Sequence, residues 1–389
     1  MMNRSLTSAV RPLANLRVSL MKSAVPARHF SASPARGLSA VFNQTENTEL
    51  NEVLATIQDK IILPAYLPKK QRELVFNPKK RTFIQQNPVI IELDGLEHKF
   101  TTIDRFKEVP NSKKVFHDVI GLMKTKEDWD NIGTLLAGYK KAGIRLRREH
   151  YTKIIRLAGE SKQSYSIIEC AKQSQVTGFV LDKKEHLLQL LVSINNKIIS
   201  PSGKENESAQ ALTWAELVLD LIQRPEHLQE EVQPYNRLHL DPIVRGLYLY
   251  TQASAAQAKQ ATEQPADELV QAVKENAETV SSLWTRHGFE DLNNSGVLVD
   301  INPFSPQNKQ TRNSSDLSPN YYVLALAQNI KGIEMAQEIV GDAAKDLKPA
   351  AEALEQHLRD FVKTVYRDGW AKTYESVTGR MPDWAQSST

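Results

Sequence analysis

Two runs of cations interleaved with aromatics are the residues whose type and spacing best fit a defined chemistry. Tyr66 to Arg72 carries Lys69, Lys70 and Arg72, and Phe76 to Phe83 carries Lys79, Lys80 and Arg81. A second set follows at intervals: Lys113, Lys114, Lys140, Lys141, Arg145, Arg147, Arg148, Lys183 and Lys184. Such residues neutralise phosphates, a sequence-independent interaction that weakens as salt rises. The chemistry they suggest is the gripping of RNA. Pro68 and Pro78 argue against a regular helix, so 66–83 is expected to be an extended basic segment. A solvated charged linker is the other reading of the same run.

No pattern for catalysis accompanies them. The sequence has no His-Glu-x-x-His, Gly-x-Ser-x-Gly, Cys-x-x-Cys or dinucleotide fingerprint, and Gly133 to Gly138 lacks the Lys-Ser/Thr of a phosphate loop. The nine histidines are scattered, and Cys170, within an apolar helical stretch, reads as packed and inert. A single cysteine excludes a disulfide scaffold. Neither an enzyme nor a cofactor or metal site is expected. No apolar run approaches the roughly 18 residues needed to span a bilayer.

Charge is distributed unevenly. Residues 1–37 hold six Lys and Arg and no acid, with many Ser and Ala, and the first carboxylate is Glu46. That is the composition of a mitochondrial transit peptide and predicts the matrix as destination. Arg28 to Ser33 resembles a processing signal, placing the mature start near Ser31 or Leu38. Without the leader the formal net charge falls from +3 to −3. Residues 61–200 contain 25 Lys and Arg against 15 Asp and Glu, and 201–389 contain 17 against 27. The first half is therefore expected to face a polyanion and the acidic second half to face protein.

The elements that must position these charges are mostly helical. A short helix is expected over 46–62. Val89 to Phe100 reads as a β-hairpin, because Asp94-Gly95 takes the positive φ values of a type I′ turn. From Ser112 the pattern predicts helices near 112–124, 127–142, 147–159, 162–176, 183–197, 208–223, 241–260, 265–286, 320–340 and 346–375. Stretches 198–207 and 288–319 read as linkers or insertions. The organisation predicted is a leader at 1–37, a basic extension at 38–110, helical repeats at 111–200, an acidic helical domain at 201–377 and a flexible tail at 378–389.

Self-comparison of the helical part yields a period of 35 residues. Gly143, Ile144 and Leu146 superimpose on Gly178, Phe179 and Leu181, and Phe116, Tyr151 and His186 fall in one column. Each unit is a helix, a turn, a second helix and a Gly-apolar-x-Leu connector, whose glycine is expected to cap the helix in a left-handed conformation. One hairpin cannot bury its own apolar stripe, so neighbours should stack into a solenoid.

Over about 112–217 these residues resemble the pentatricopeptide repeat family, which has 35-residue units of paired helices. The resemblance implies an all-α hairpin solenoid and organellar RNA binding, with one base read per repeat. It also implies that Thr152 and Asp182 form the base-reading pair of the second unit. The first unit offers His117 and Arg147, and the third an apolar Leu187, which departs from the pattern. Phosphate contact is then the main expectation. The function expected is mitochondrial gene expression, either on the mitochondrial ribosome or in maturation or translation of particular transcripts. The rival is a protein-binding helical scaffold, such as an assembly factor for a respiratory complex.

Overall fold

The computed structural model describes residues 39–388 apart from 200–203, 229–231, 290–291, 293–294, 306–316 and 365–368. The leader expected at 1–37 lies outside the described residues. The chain is mostly helical, with one two-stranded sheet among the described residues. Helix α1, Thr48–Ile57, starts at Asn47, whose side chain accepts from the Leu50 amide, and runs into a π-helical turn, Gln58–Ile62. Two short helices follow, α2 (Lys69–Val75) and α3 (Arg81–Gln86). Strands β1 (Val89–Leu93) and β2 (Leu96–Phe100) pair antiparallel from Val89↔Phe100 to Leu93↔Leu96. Asp94 and Gly95 sit at φ 52° and 77°, as the turn chemistry requires.

The basic segment is not extended. Pro68 occupies the N-cap of α2, and Pro78 opens a single 3₁₀ turn, Pro78–Lys80, ahead of α3. At these positions no backbone N–H is needed, so proline starts a helix instead of breaking one. Together with the hairpin these helices enclose a small core of Leu63, Leu67, Val75, Ile84, Val89, Phe100 and Ile103.

Beyond it come α4 (Ser112–Leu122), α5 (Ile132–Lys141), α6 (Arg148–Glu160), α7 (Ser164–Lys172), α8 (Lys184–Ile199) and α9 (Lys204–Leu221). Helix α6 packs against both α4 and α8, while α7 packs against both α5 and α9. Gly143 and Gly178 take φ values of 72° and 73° at the ends of successive hairpins. After the second, Phe179 and Leu181 are fully buried. After the first, Ile144 and Leu146 are only half-buried against the same core, so the anchoring expected of both connectors is complete in the second alone.

The acidic half continues with α10 (Pro242–Ala261), α11 (Asp267–His287), α12 (Pro319–Val340), α13 (Lys348–Thr364) and α14 (Trp370–Thr378). One hydrophobic cluster runs from Phe42 to Trp384, so both halves share a core. Asn195 on α8 donates to Gln328 on α12 and to the Leu247 carbonyl on α10, 3.1 Å each.

Three expectations for this half change. The single helix foreseen at 346–375 is two, with Gly369 at φ 97° preceding α14. The linker at 288–319 contains a helical turn, Gly296–Val299, and Val297, Leu298 and Ile301 reach the core. The tail expected to be flexible at 378–389 is docked over 378–384: Arg380 pairs with Glu334 and Glu355 at 2.8 Å, and Trp384 is buried. The last two depend on contacts between residues far apart in the chain, which local pattern does not encode.

His357 gives this core a pH dependence. It is 4% exposed, its Nε2 lies 2.7 Å from the Tyr322 hydroxyl, and burial pushes its pKa down from 6.5 to about 4. The unfolded chain takes up the proton first, so stability is present above pH 6.5 and lost as pH falls towards 4. This one group should cost about 2 kcal/mol between pH 7 and 5. Urea midpoints at the two pH values should separate less in His357→Gln than in the parent; equal separation would refute the assignment.

Candidate nucleic-acid interface

The cations expected to hold RNA divide by what their side chains already do. Lys69, Lys70, Arg72, Lys79, Lys80 and Arg81 are exposed, and none has an ion-pair partner among the described residues. Short helices capped by prolines present them on a module whose apolar face is turned to its own core. Lys113 and Lys114 lie in the first turn of α4, where Asn111 Oδ1 accepts both of their amides at 3.1 Å. Lys114 is exposed and Lys113 half-buried. Arg145, in the connector, is exposed without an ion-pair partner among the described residues.

Several others are engaged. Lys141 lies over the Tyr66 ring, 5.0 Å from its centroid, and Arg147 reaches Glu149 only at 3.8 Å. Both remain exposed. Lys183 pairs with Asp182 at 3.3 Å. Such exposed contacts are worth under about 1 kcal/mol and compete poorly with a phosphate.

Three members of the set are structural instead. Lys140 donates to the Gln175 carbonyl at 2.6 Å, tying α5 to the end of the next hairpin. Arg148 on α6 pairs with Glu185 on α8 at 2.9 Å. Lys184 is 12% exposed, ion-paired with Asp241 and 2.6 Å from the Val297 carbonyl. The expectation that Lys184 faces RNA is corrected: its ammonium is enclosed by partners 57 and 113 residues further along.

The base-reading positions are also occupied from within. Thr152 Oγ1 lies 3.2 Å from His186 Nε2 and donates to the Arg148 carbonyl at 3.2 Å. Asp182 sits in the connector with Lys183, and its field reaches His227. His117 Nδ1 lies 3.0 Å from Lys153 Nζ. Burial, then the fields of Lys153 and His150, lower the His117 pKa, so the ring accepts as a neutral imidazole.

The histidines are less scattered than their spacing suggests. The His117 and His150 rings are 5.0 Å apart across α4 and α6, and Tyr151 and His186 are 6.2 Å apart across α6 and α8. The column Phe116, Tyr151 and His186 marks these places in the sequence: Phe116 meets His150, next to Tyr151, at 5.9 Å, and Tyr151 meets His186. Beside it a cleft of about 360 Å³ opens between the connectors, lined by Lys140, Gly143, Ile144, Arg145, Tyr151 and Gly178.

Comparison with known proteins decides the lineage. The profile of the mitochondrial ribosomal protein mS27 family matches residues 28–383. The chain belongs to the mS27 family. It is similar to the small ribosomal subunit protein mS27 of Neurospora crassa, 28% identical over 255 residues, covering 62% of this chain and 64% of that relative. The chain thus spans less than two thirds of the relative's length. Membership in the mS27 family places the protein in the mitochondrial matrix. A ribosomal protein family is structural, which agrees with a sequence lacking catalytic motifs.

The mS27 match covers both halves, so free cations and shared core belong to one family unit. No described helix is long and apolar enough to cross a membrane. Arg105-Phe106-Lys107 adds an aromatic, 96% exposed, between two exposed cations, outside every cation run of the sequence analysis. A three-residue turn carries no period that could mark it.

Proposed function

We propose that the protein is a constituent of the small subunit of the mitochondrial ribosome, holding ribosomal RNA through its first half and neighbouring proteins through its acidic second half. The single observation that carries this reading is the mS27 family match over 28–383. The separation of free cations on 69–81 from the paired, structural ones of the helical array supports the RNA grip.

In this reading 111–200 is a pentatricopeptide-repeat-like solenoid of three units that serves as a rigid frame. Its base-reading positions are engaged by neighbouring groups of the chain, which favours contact with phosphates or folded RNA over a sequence code. Residues 38–110 act as the basic extension, 1–37 as the import leader and 201–377 as the protein-facing domain. Thr152 and Asp182 shape the frame, while Lys114, Arg145 and Arg147 add charge along it.

The test is sedimentation of the tagged protein from mitochondrial lysate with crosslinked RNA sequenced. Co-migration with the small subunit and crosslinks at fixed positions of ribosomal RNA are expected. Replacing Lys69, Lys70, Arg72, Lys79, Lys80 and Arg81 together by Gln should weaken RNA retention at least about a hundredfold near physiological salt and flatten its salt dependence. Crosslinks confined to messenger leaders would replace this reading by a transcript-specific factor. Retention of partners in high salt with no RNA attached would replace it by a protein scaffold.

A further inference from the structure

Phe106 is a large apolar side chain standing outside both hydrophobic cores. It is 96% exposed, on a turn that is pinned at both ends. Asp104 Oδ1 accepts the amides of Phe106 at 2.9 Å and Lys107 at 3.3 Å, and the Glu108 amide donates to the Asp104 carbonyl at 2.8 Å. Before the turn, Ile103 is buried and its amide donates to the Val75 carbonyl at 2.8 Å. After it, Glu108 accepts from Lys60 Nζ at 3.1 Å, and Val109 packs against both hydrophobic cores. The ring is therefore held in water by a fixed backbone.

Its surroundings select the kind of ligand. Arg105 and Lys107 are exposed and have no ion-pair partner among the described residues. The acids beside them are committed, Asp104 to backbone amides and Glu108 to Lys60. The Lys60 hydrogen bond, with smaller help from the field of Arg81, holds the Glu108 carboxyl below its ordinary range. Ile84 of α3 and Ile103 before the turn share the small core, and Phe83 on that helix is a second ring, 49% exposed. A protein hot spot would join the ring to apolar neighbours, whereas cations on both sides suit a base whose flanking phosphates they neutralise.

We propose that Phe106 is a stacking platform for an unpaired RNA base, with Arg105 and Lys107 on the adjoining phosphates. The inference rests on the RNA-binding reading above and specifies the form of RNA: a single-stranded segment or a splayed-out base, since a paired base cannot offer its face.

The test compares the full chain with Phe106→Ala and Phe106→Trp, using fluorescence anisotropy with a single-stranded 20-nucleotide RNA, an RNA duplex and heparin. Phe106→Ala should weaken single-stranded RNA about tenfold or more without changing the salt slope, and Phe106→Trp should retain affinity. Heparin, which has charge but no bases, should bind all three alike. Equal RNA affinity for Phe106→Ala and the parent overturns the inference alone, as does an equal loss towards heparin. A parent that binds neither RNA nor heparin instead overturns the RNA-binding reading on which it stands.

Discussion

Gly332→Ala should lower the stability of the fold by about 3 kcal/mol, although alanine is the better helix former. Gly332 lies inside α12 where that helix crosses α10. A Cβ added there would meet the Tyr250 backbone nitrogen at 2.8 Å and its Cα at 3.0 Å. Backbone atoms have no rotamer to vacate, so the helices themselves must move apart. The gain in helix propensity, about 1 kcal/mol, is smaller than the cost of separating a packed pair. Gly121, on α4, is the control: nothing lies within 4 Å of its added Cβ. Gly121→Ala should therefore be neutral or stabilising by a few tenths to about 1 kcal/mol. Chemical denaturation of the two variants measures both, and a neutral Gly332→Ala would show that the crossing yields readily.

Asp241→Ala should cost about 4 kcal/mol, because one carboxylate does two tasks. Its Oδ1 accepts the amides of Ile243 at 2.9 Å and Val244 at 3.2 Å at the start of α10, and Oδ2 pairs with Lys184. Both side chains are almost enclosed, 14% and 12% exposed. Removing the acid leaves an ammonium desolvated, with the Val297 carbonyl as its remaining hydrogen-bond partner among the described residues. Asp241→Asn keeps the cap and loses the charge, so it should fall between parent and Asp241→Ala. Combining Asp241→Asn with Lys184→Met should recover part of the loss, since the stranded charge is gone. RNA affinity per folded molecule should be unchanged by Lys184→Met; a selective loss of RNA binding would return Lys184 to the interface.

Legibility in the sequence followed the range of the interaction. The hairpin was readable because Asp94-Gly95 alone determines its turn, and the connectors because Gly143 and Gly178 repeat a local backbone requirement. Helix positions followed from periodicity over one or two turns. Pro68 and Pro78 misled because proline's effect depends on its place in a helix, and residue type alone does not reveal that place. The pairing of Lys184 with Asp241 and of Arg380 with Glu334 was invisible because each joins residues that only the complete fold brings together. A lysine before a helix reads the same whether it faces a phosphate or a carboxylate. Phe106 escaped for the opposite reason, since a lone exposed ring leaves no periodic trace.

The bridge from α8 to α12 imposes an order on biogenesis. Ser193 and Asn195 find their partners at Tyr321 and Gln328, more than 120 residues later. While the chain emerges N-terminus first, α6, α9 and α10 can cover α8 early, but Ser193 and Asn195 lack these last partners until residues beyond 319 arrive. Contacts so distant in sequence close slowly and leave adhesive surface waiting. A chain stalled near residue 310 is thus a client for chaperones, and the early hairpins reach their final packing only when the last third is in place.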